Sequence, residues 1–177
     1  MSILVTYATA KGATSEIAER IAEHLKTFAA SVEVRPTKEV SATSLHTYSA
    51  IIVGSAIHAG LWLTPARHFI RDNSTTLSSQ QVWAFSVGMP PNEEERMNEE
   101  RMMDGKIRKV LPALRGHKLF QGRFKKQDLP WIIRIIFACC VPKNKTKWGD
   151  ARNWEEIEVW SENVGREITS GSSVGMA

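Results

Sequence analysis

Two apolar patterns take turns along the chain. Short runs with little polar alternation, Ile3-Leu4-Val5-Thr6-Tyr7, Ala50-Ile51-Ile52-Val53-Gly54 and residues 81–87, read as strands buried on both faces. Between them lie segments whose apolar residues recur at helical spacing. Ile17, Ile21, Leu25 and Phe28 predict a helix over 15–29 with Thr14 as its N-cap. Val32-Glu33-Val34-Arg35 alternates and then meets Pro36, which predicts a short strand near a sheet edge. Thr64-Pro65 predicts an N-cap and first helical position for a helix to 73. A charged helix is expected to start within 92–101, break near Gly105 and resume to 114, ahead of a fifth strand over 118–124. The last helix is expected over 153–168, with Trp154, Ile157, Trp160, Val164 and Ile168 inward. Strands alternating with helices predict an α/β fold on a parallel sheet, one domain over 1–168, with a small, polar, disordered tail over 169–177.

Composition agrees with this picture. A chain of 177 residues, 42% hydrophobic and 24% charged, buries a core without staples. Its only cysteines, Cys139 and Cys140, are adjacent, which suits neither a disulfide with each other nor a zinc site, and points to a reducing, cytoplasmic setting. The start lacks a charged leader, and no run is long enough to span a bilayer.

Charge changes the picture more. The net charge is +4, but residues 106–147 hold 12 Lys and Arg against Asp128 alone, so that segment is +11 and the remainder −7. Such a segment attracts an anionic membrane surface or an anionic substrate. Nucleic acid would respond to the same field, yet no reader motif or aromatic interleaving accompanies it, and none is expected as a partner. Within the segment, residues 129–142 form an apolar run containing Arg134. That run reads either as a core helix or as a face lying in the membrane interface.

The chemistry is expected in the first turn after the first strand. Thr9-Ala10-Lys11-Gly12-Ala13-Thr14-Ser15 is rich in hydroxyls and small residues and leads into a helix N-terminus, where unpaired N–H groups and a positive dipole end favour a phosphate. Neither the Gly-x-Gly-x-x-Gly fingerprint nor a Gly-Lys-Ser/Thr loop is present, which argues against dinucleotides and nucleoside triphosphates. An ordinary strand-to-helix turn with a threonine cap is the competing reading.

Tyr7-Ala8-Thr9-Ala10-Lys11-Gly12-Ala13-Thr14 resembles the FMN phosphate loop of flavodoxins. Val53-Gly54-Ser55-Ala56-Ile57-His58-Ala59-Gly60, Phe85-Ser86-Val87-Gly88, Leu129-Pro130-Trp131 and Arg152-Asn153-Trp154-Glu155-Glu156-Ile157 extend the resemblance over residues 3–168. Together they are similar to the flavodoxin-domain family that includes the menaquinone-dependent protoporphyrinogen IX dehydrogenases. The resemblance implies a flavodoxin-like three-layer sandwich with a five-stranded parallel sheet of order 2-1-3-4-5, the order for which flavodoxin is itself the standard illustration.

By the same resemblance Thr9, Ala10, Lys11, Gly12, Ala13 and Thr14 hold the FMN phosphate. Ser55, Ala56, Ile57 and His58 form the loop at one side of the flavin ring, and Ser86, Val87, Gly88 and Met89 the loop at the other. Trp62 is the nearby candidate for ring stacking, with a core or helix-capping tryptophan as the alternative; His58 is a proton donor or a plain surface residue. No metal site and no catalytic acid or base is assigned. The implied function is an FMN-dependent oxidoreductase that oxidises protoporphyrinogen IX with a membrane quinone, peripheral on the inner face of the membrane. A flavodoxin-type electron carrier serving a redox partner protein, a non-catalytic domain that has lost FMN, and a homo-oligomer stay open.

Overall fold

A computed structural model describes residues 1–124 and 149–173. The main strands are β1 (Ser2–Ala8), β2 (Ser31–Pro36), β3 (Ala50–His58), β5 (Gln81–Gly88) and β6 (Gly116–Gln121). They pair in parallel in the order β2-β1-β3-β5-β6. This is the expected 2-1-3-4-5 order once β4 (Leu61–Trp62) is set aside, a two-residue strand antiparallel to β3 that the apolar pattern did not announce. A separate antiparallel ribbon joins β7 (Arg123–Phe124) to β8 (Gly149–Asp150). The apolar run 129–142, with its two cysteines, lies outside the described residues.

The strands read as continuous apolar runs because both faces of the sheet are covered. Ile3, Val5, Ala50, Ile52, Trp83, Phe85 and Phe120 pack on one side against Ile17, Ile21 and Leu25 of α1 (Ala13–Leu25) and Ile157, Val164 and Ile168 of α5 (Trp154–Ser173). Leu4, Ile51, Val53, Val82 and Ala84 face the other way, onto Ala66, Phe69 and Ile70 of α2 (Thr64–Asp72), Leu77 of α3 (Ser74–Ser78), and Met103 and Ile107 of α4 (Glu93–Arg108). Gly54 stands where a Cβ would come within 2.0 Å of the Phe85 ring, so the two central strands admit no side chain there.

Several boundaries depart from the sequence expectation. Thr14 lies inside α1, and the N-cap is Gly12, with φ of 84°. Thr64 is likewise the first helical residue of α2, behind the cap Leu63. α4 does not break at Gly105. A helical glycine costs about 1 kcal/mol. That cost is offset by the Asn92 side chain accepting from the Glu95 N–H, by glutamates 93–95 in the first turn and Lys106 and Arg108 in the last, and by burial of Met103 and Ile107. The fifth strand spans Gly116–Gln121 before the chain turns into the ribbon. α5 continues to Ser173, past Ile168. Trp154 and Trp160 are half-buried, and Trp160 meets Phe120 edge to face at 5.5 Å.

Between the sheet and the α2/α4 layer runs a polar chain, buried at Trp62 and Ser86 and half-buried at His117. The Trp62 indole Nε1 donates to Ser86 Oγ at 2.7 Å, and Ser86 Oγ lies 2.8 Å from His117 Nε2. The hydroxyl is thereby free to donate its own proton to a neutral imidazole. Burial pushes the His117 pKa down to about 4, with Asp104 pulling it up and Arg108 pushing it down as smaller influences. An unfolded chain, whose histidine has its ordinary pKa of 6.5, takes up this proton first as pH falls. Stability conferred by the neutral ring is therefore complete above pH 6.5 and is lost on the way down to about 4. In urea unfolding measured across that window, His117 is expected to account for a loss of up to about 3 kcal/mol. That part of the slope disappears in His117→Gln.

Candidate flavin site

Strand register brings the three expected loops together. Ala8 of β1 pairs with Ser55 of β3, and Ser55 with Ser86 of β5, so the chain leaves all three strands at one edge of the sheet. From β1 the chain passes to β2 on one side and on to β3 on the other, which makes the β1/β3 boundary a topological switch point. Open α/β sheets bind ligands in the crevice at such a point, outside the carboxyl ends of their strands.

The first loop is built around Gly12. Its left-handed backbone turns the chain from β1 straight into α1. Thr9 Oγ1 accepts from the Gly12 N–H at 3.0 Å, and Ser15 Oγ donates back to the Gly12 carbonyl at 2.8 Å. The two hydroxyls thus hold the turn rather than standing idle. The first-turn N–H groups of α1, from Ala13 to Ser15, have no carbonyl one turn earlier to receive them. Thr14 is 1% exposed, and its Oγ1 has no hydrogen-bond partner. Of the buried unpartnered side-chain polar atoms among the described residues, it is the one on this loop. A buried hydroxyl without a partner costs free energy. An oxyanion held by the open turn of α1 would supply the missing partner. On these observations the residues fit a phosphate.

The other two loops contribute differently from what their residue types suggest. Ser55 Oγ accepts from the Leu63 N–H at 3.1 Å and donates to the Ala56 carbonyl, and Ser86 Oγ is engaged by Trp62 and His117. Both hydroxyls point into the protein, which leaves the backbone of these loops to meet a ligand. Trp62 is 3% exposed and belongs to the core, so it offers no free ring face for stacking. Ile57 is half-buried, opposite Trp62 in the β3–β4 pairing. His58, Ala10 and Lys11 are exposed, Ala56 and Met89 half-buried, and Val87 is packed into the α1/α5 core. The β3–β4 turn is Ala59-Gly60, both with positive φ (50° and 72°), the form whose twist matches paired strands.

Four charged residues come together near the first loop, a meeting that no local pattern in the sequence announces. Glu16, in the first turn of α1, receives Arg123 at 2.9 Å and Arg152 at 2.6 Å. The Arg152 side chain is only 4% exposed; it also grips Asp150 at 2.5 Å and lies over the Trp154 ring at 4.4 Å. The Arg152 hydrogen bond holds the Glu16 carboxyl below its usual range, with help from Arg123, and holds Asp150 low as well. Separations of 107 and 136 residues hide these pairs from any local pattern. At the third loop, Glu99 of α4 brings its carboxylate within 3.1 Å of where a Gly88 Cβ would stand, and burial raises its pKa.

Fold and site together define an α/β protein of the flavodoxin class, a redox domain with FMN as its cofactor. The model of the flavodoxin domain matches residues 4–148, and the chain belongs to that family. It is similar to the protoporphyrinogen IX dehydrogenase [quinone] of Escherichia coli strain K12, 24% identical over 176 residues, which covers 95% of this chain and 94% of the relative. Among solved structures, a flavodoxin from the domain Archaea superposes with a TM-score of 0.59 at 16% identity, over 95% of this chain and 99% of its own. Oxidised Flavodoxin 2 from Bacillus cereus gives 0.59 at 18% identity, over 97% and 99%.

Replacing Thr14 by valine removes the hydroxyl and keeps the shape. The thermal midpoint of the apoprotein is expected to stay level or rise, because an unpartnered buried group is gone. FMN affinity, followed by quenching of flavin fluorescence, is expected to fall about fivefold. A fall in stability with unchanged FMN affinity would contradict this account of the loop.

Proposed function

We propose that this protein is an FMN-dependent oxidoreductase that removes hydrogen from a reduced tetrapyrrole of the protoporphyrinogen type and passes it to a quinone. The observation that carries the reading is likeness along nearly the whole length, on both sides, to a protoporphyrinogen IX dehydrogenase [quinone]. In this reading Thr14 and the first-turn N–H groups of α1 hold the phosphate, and the backbone at 55–58 and 86–89 borders the ring. The flavin supplies the hydride and electron chemistry, and the protein supplies placement and electrostatics. Hydrogen leaves the reduced macrocycle, which becomes more conjugated, and the quinone is reduced to its quinol.

Charge favours an enzyme over a carrier that docks on basic partners. Residues 106–147 carry +11, which suits the carboxylates of a porphyrin or the phosphates of a lipid surface. We place the protein at the cytoplasmic face of a membrane on this basis, close to where a quinone dissolves. No helix among the described residues is long and apolar enough to cross a membrane.

The test is anaerobic turnover of protoporphyrinogen IX with a menaquinone analogue by the FMN-loaded protein, together with sedimentation on vesicles containing anionic lipid. Porphyrin formation that requires both FMN and the quinone, and vesicle binding that weakens as salt rises, are the expected results. A flavin that cycles with a reductase but never with the tetrapyrrole would make the protein an electron carrier instead.

A further inference from the structure

The phosphate loop carries an acidic residue where an anion is expected. The Glu16 carboxylate, in the first turn of α1, comes within 3.9 Å of the position a Gly12 Cβ would occupy. A glutamate there favours the helix dipole but repels a phosphate bound at the same end. Its charge does not stand alone. Arg123 and Arg152 close on it, at 2.9 Å and 2.6 Å, and Asp150 takes the remaining reach of Arg152.

Both arginines belong to one device. Arg123 lies in β7 and pairs across the ribbon with Asp150 of β8, with Arg152 two residues further on. The ribbon also touches the third loop: the Gly122 N–H donates to the Gly88 carbonyl at 2.8 Å, and the Ala151 N–H to the Gly122 carbonyl at 3.1 Å. One short ribbon thus braces two of the three loops of the site. The Trp154 ring beneath the guanidinium fixes Arg152 further, and Arg152 is more deeply buried than the carboxylate it holds.

Resting on the reading of the loop as an FMN phosphate site, we infer that Arg152 and Arg123 are positioning residues that hold and neutralise the Glu16 carboxylate beside the cofactor phosphate and so make the α1 terminus selective for the phosphorylated flavin. A ligand lacking the phosphate gains nothing from this arrangement. The contribution of the arginines therefore appears in the difference between FMN and riboflavin, which share the ring and differ in that group.

The experiment measures the affinity of the apoprotein for FMN and for riboflavin in the wild type, in Arg152→Gln, in Glu16→Gln and in the double variant, at low ionic strength. Arg152→Gln is expected to weaken FMN about tenfold, by like-charge repulsion at short range, and to leave riboflavin unchanged. Glu16→Gln alone binds FMN at least as well as wild type, and the double variant recovers most of the loss. An effect that is equal for both flavins, an FMN loss that Glu16→Gln does not restore, or no effect at all would overturn the inference. Should Arg152→Gln fail to fold, Arg123→Gln carries the same comparison, its side chain being 19% exposed and tied to the same carboxylate. A wild-type protein that binds neither flavin would sink the parent reading of the loop; one that binds FMN while the variants disobey this pattern sinks the inference alone.

Discussion

The left-handed backbone at Gly12 is the constraint on which the site rests. β1 ends at Ala8 and α1 begins at Ala13, so the reversal between them falls to a very short connection. A residue with a Cβ pays to adopt φ of 84°, whereas glycine does so freely. With that turn made, the helix axis points its open N–H groups at the carboxyl edge of the sheet. Thr9 and Ser15 then close hydrogen bonds on Gly12 from both sides. A hydroxyl-rich loop is thus first a device for holding a turn, and only the hydroxyl left over, that of Thr14, remains without a partner.

The remaining architecture keeps that edge in place. Burial on both faces fixes the register of β1, β3 and β5, because a slip of one residue would move Ile3 and Val5 into the layer meant for Leu4. The register in turn aligns Ala8, Ser55 and Ser86. Beneath the third loop, Trp62, Ser86 and His117 join β4, β5 and β6 through hydrogen bonds, the first of them fully buried. Lys106 of α4 reaches the Gly60 carbonyl at 2.7 Å and ties the β3–β4 turn down onto the helical layer. The β7–β8 ribbon completes the frame from the opposite side through Glu16 and Gly88.

The strands and the large helices were legible in the sequence because their signals are local: apolar runs for β1, β3 and β5, and helical spacing for α1 and α5. The turn between β1 and α1 was legible for the same reason. Boundaries were less so. Thr14 and Thr64 look like caps by residue type, but α1 starts at Ala13, straight after the turn at Gly12, and α2 starts at Thr64 itself, behind Leu63. Gly105 looks like a break until the burial of Met103 and Ile107 on either side of it is known. Ser55 and Ser86 look like ligand groups, yet their orientation depends on which sheet face they take and on neighbours from other strands. Arg152 stood in a motif, but its pairing with Glu16 was hidden, since nothing near position 16 announces an arginine at 123 or 152.

The most direct measurement is a heteronuclear NMR titration of the 15N-labelled apoprotein with FMN, following each backbone amide. The account predicts that the amides of Ala13 to Ser15 move strongly downfield on binding, as N–H groups do when they meet a phosphate, with further shifts at 55–58 and 86–89. Saturable binding with the α1 amides unmoved and the shifts clustered elsewhere on the surface would contradict it.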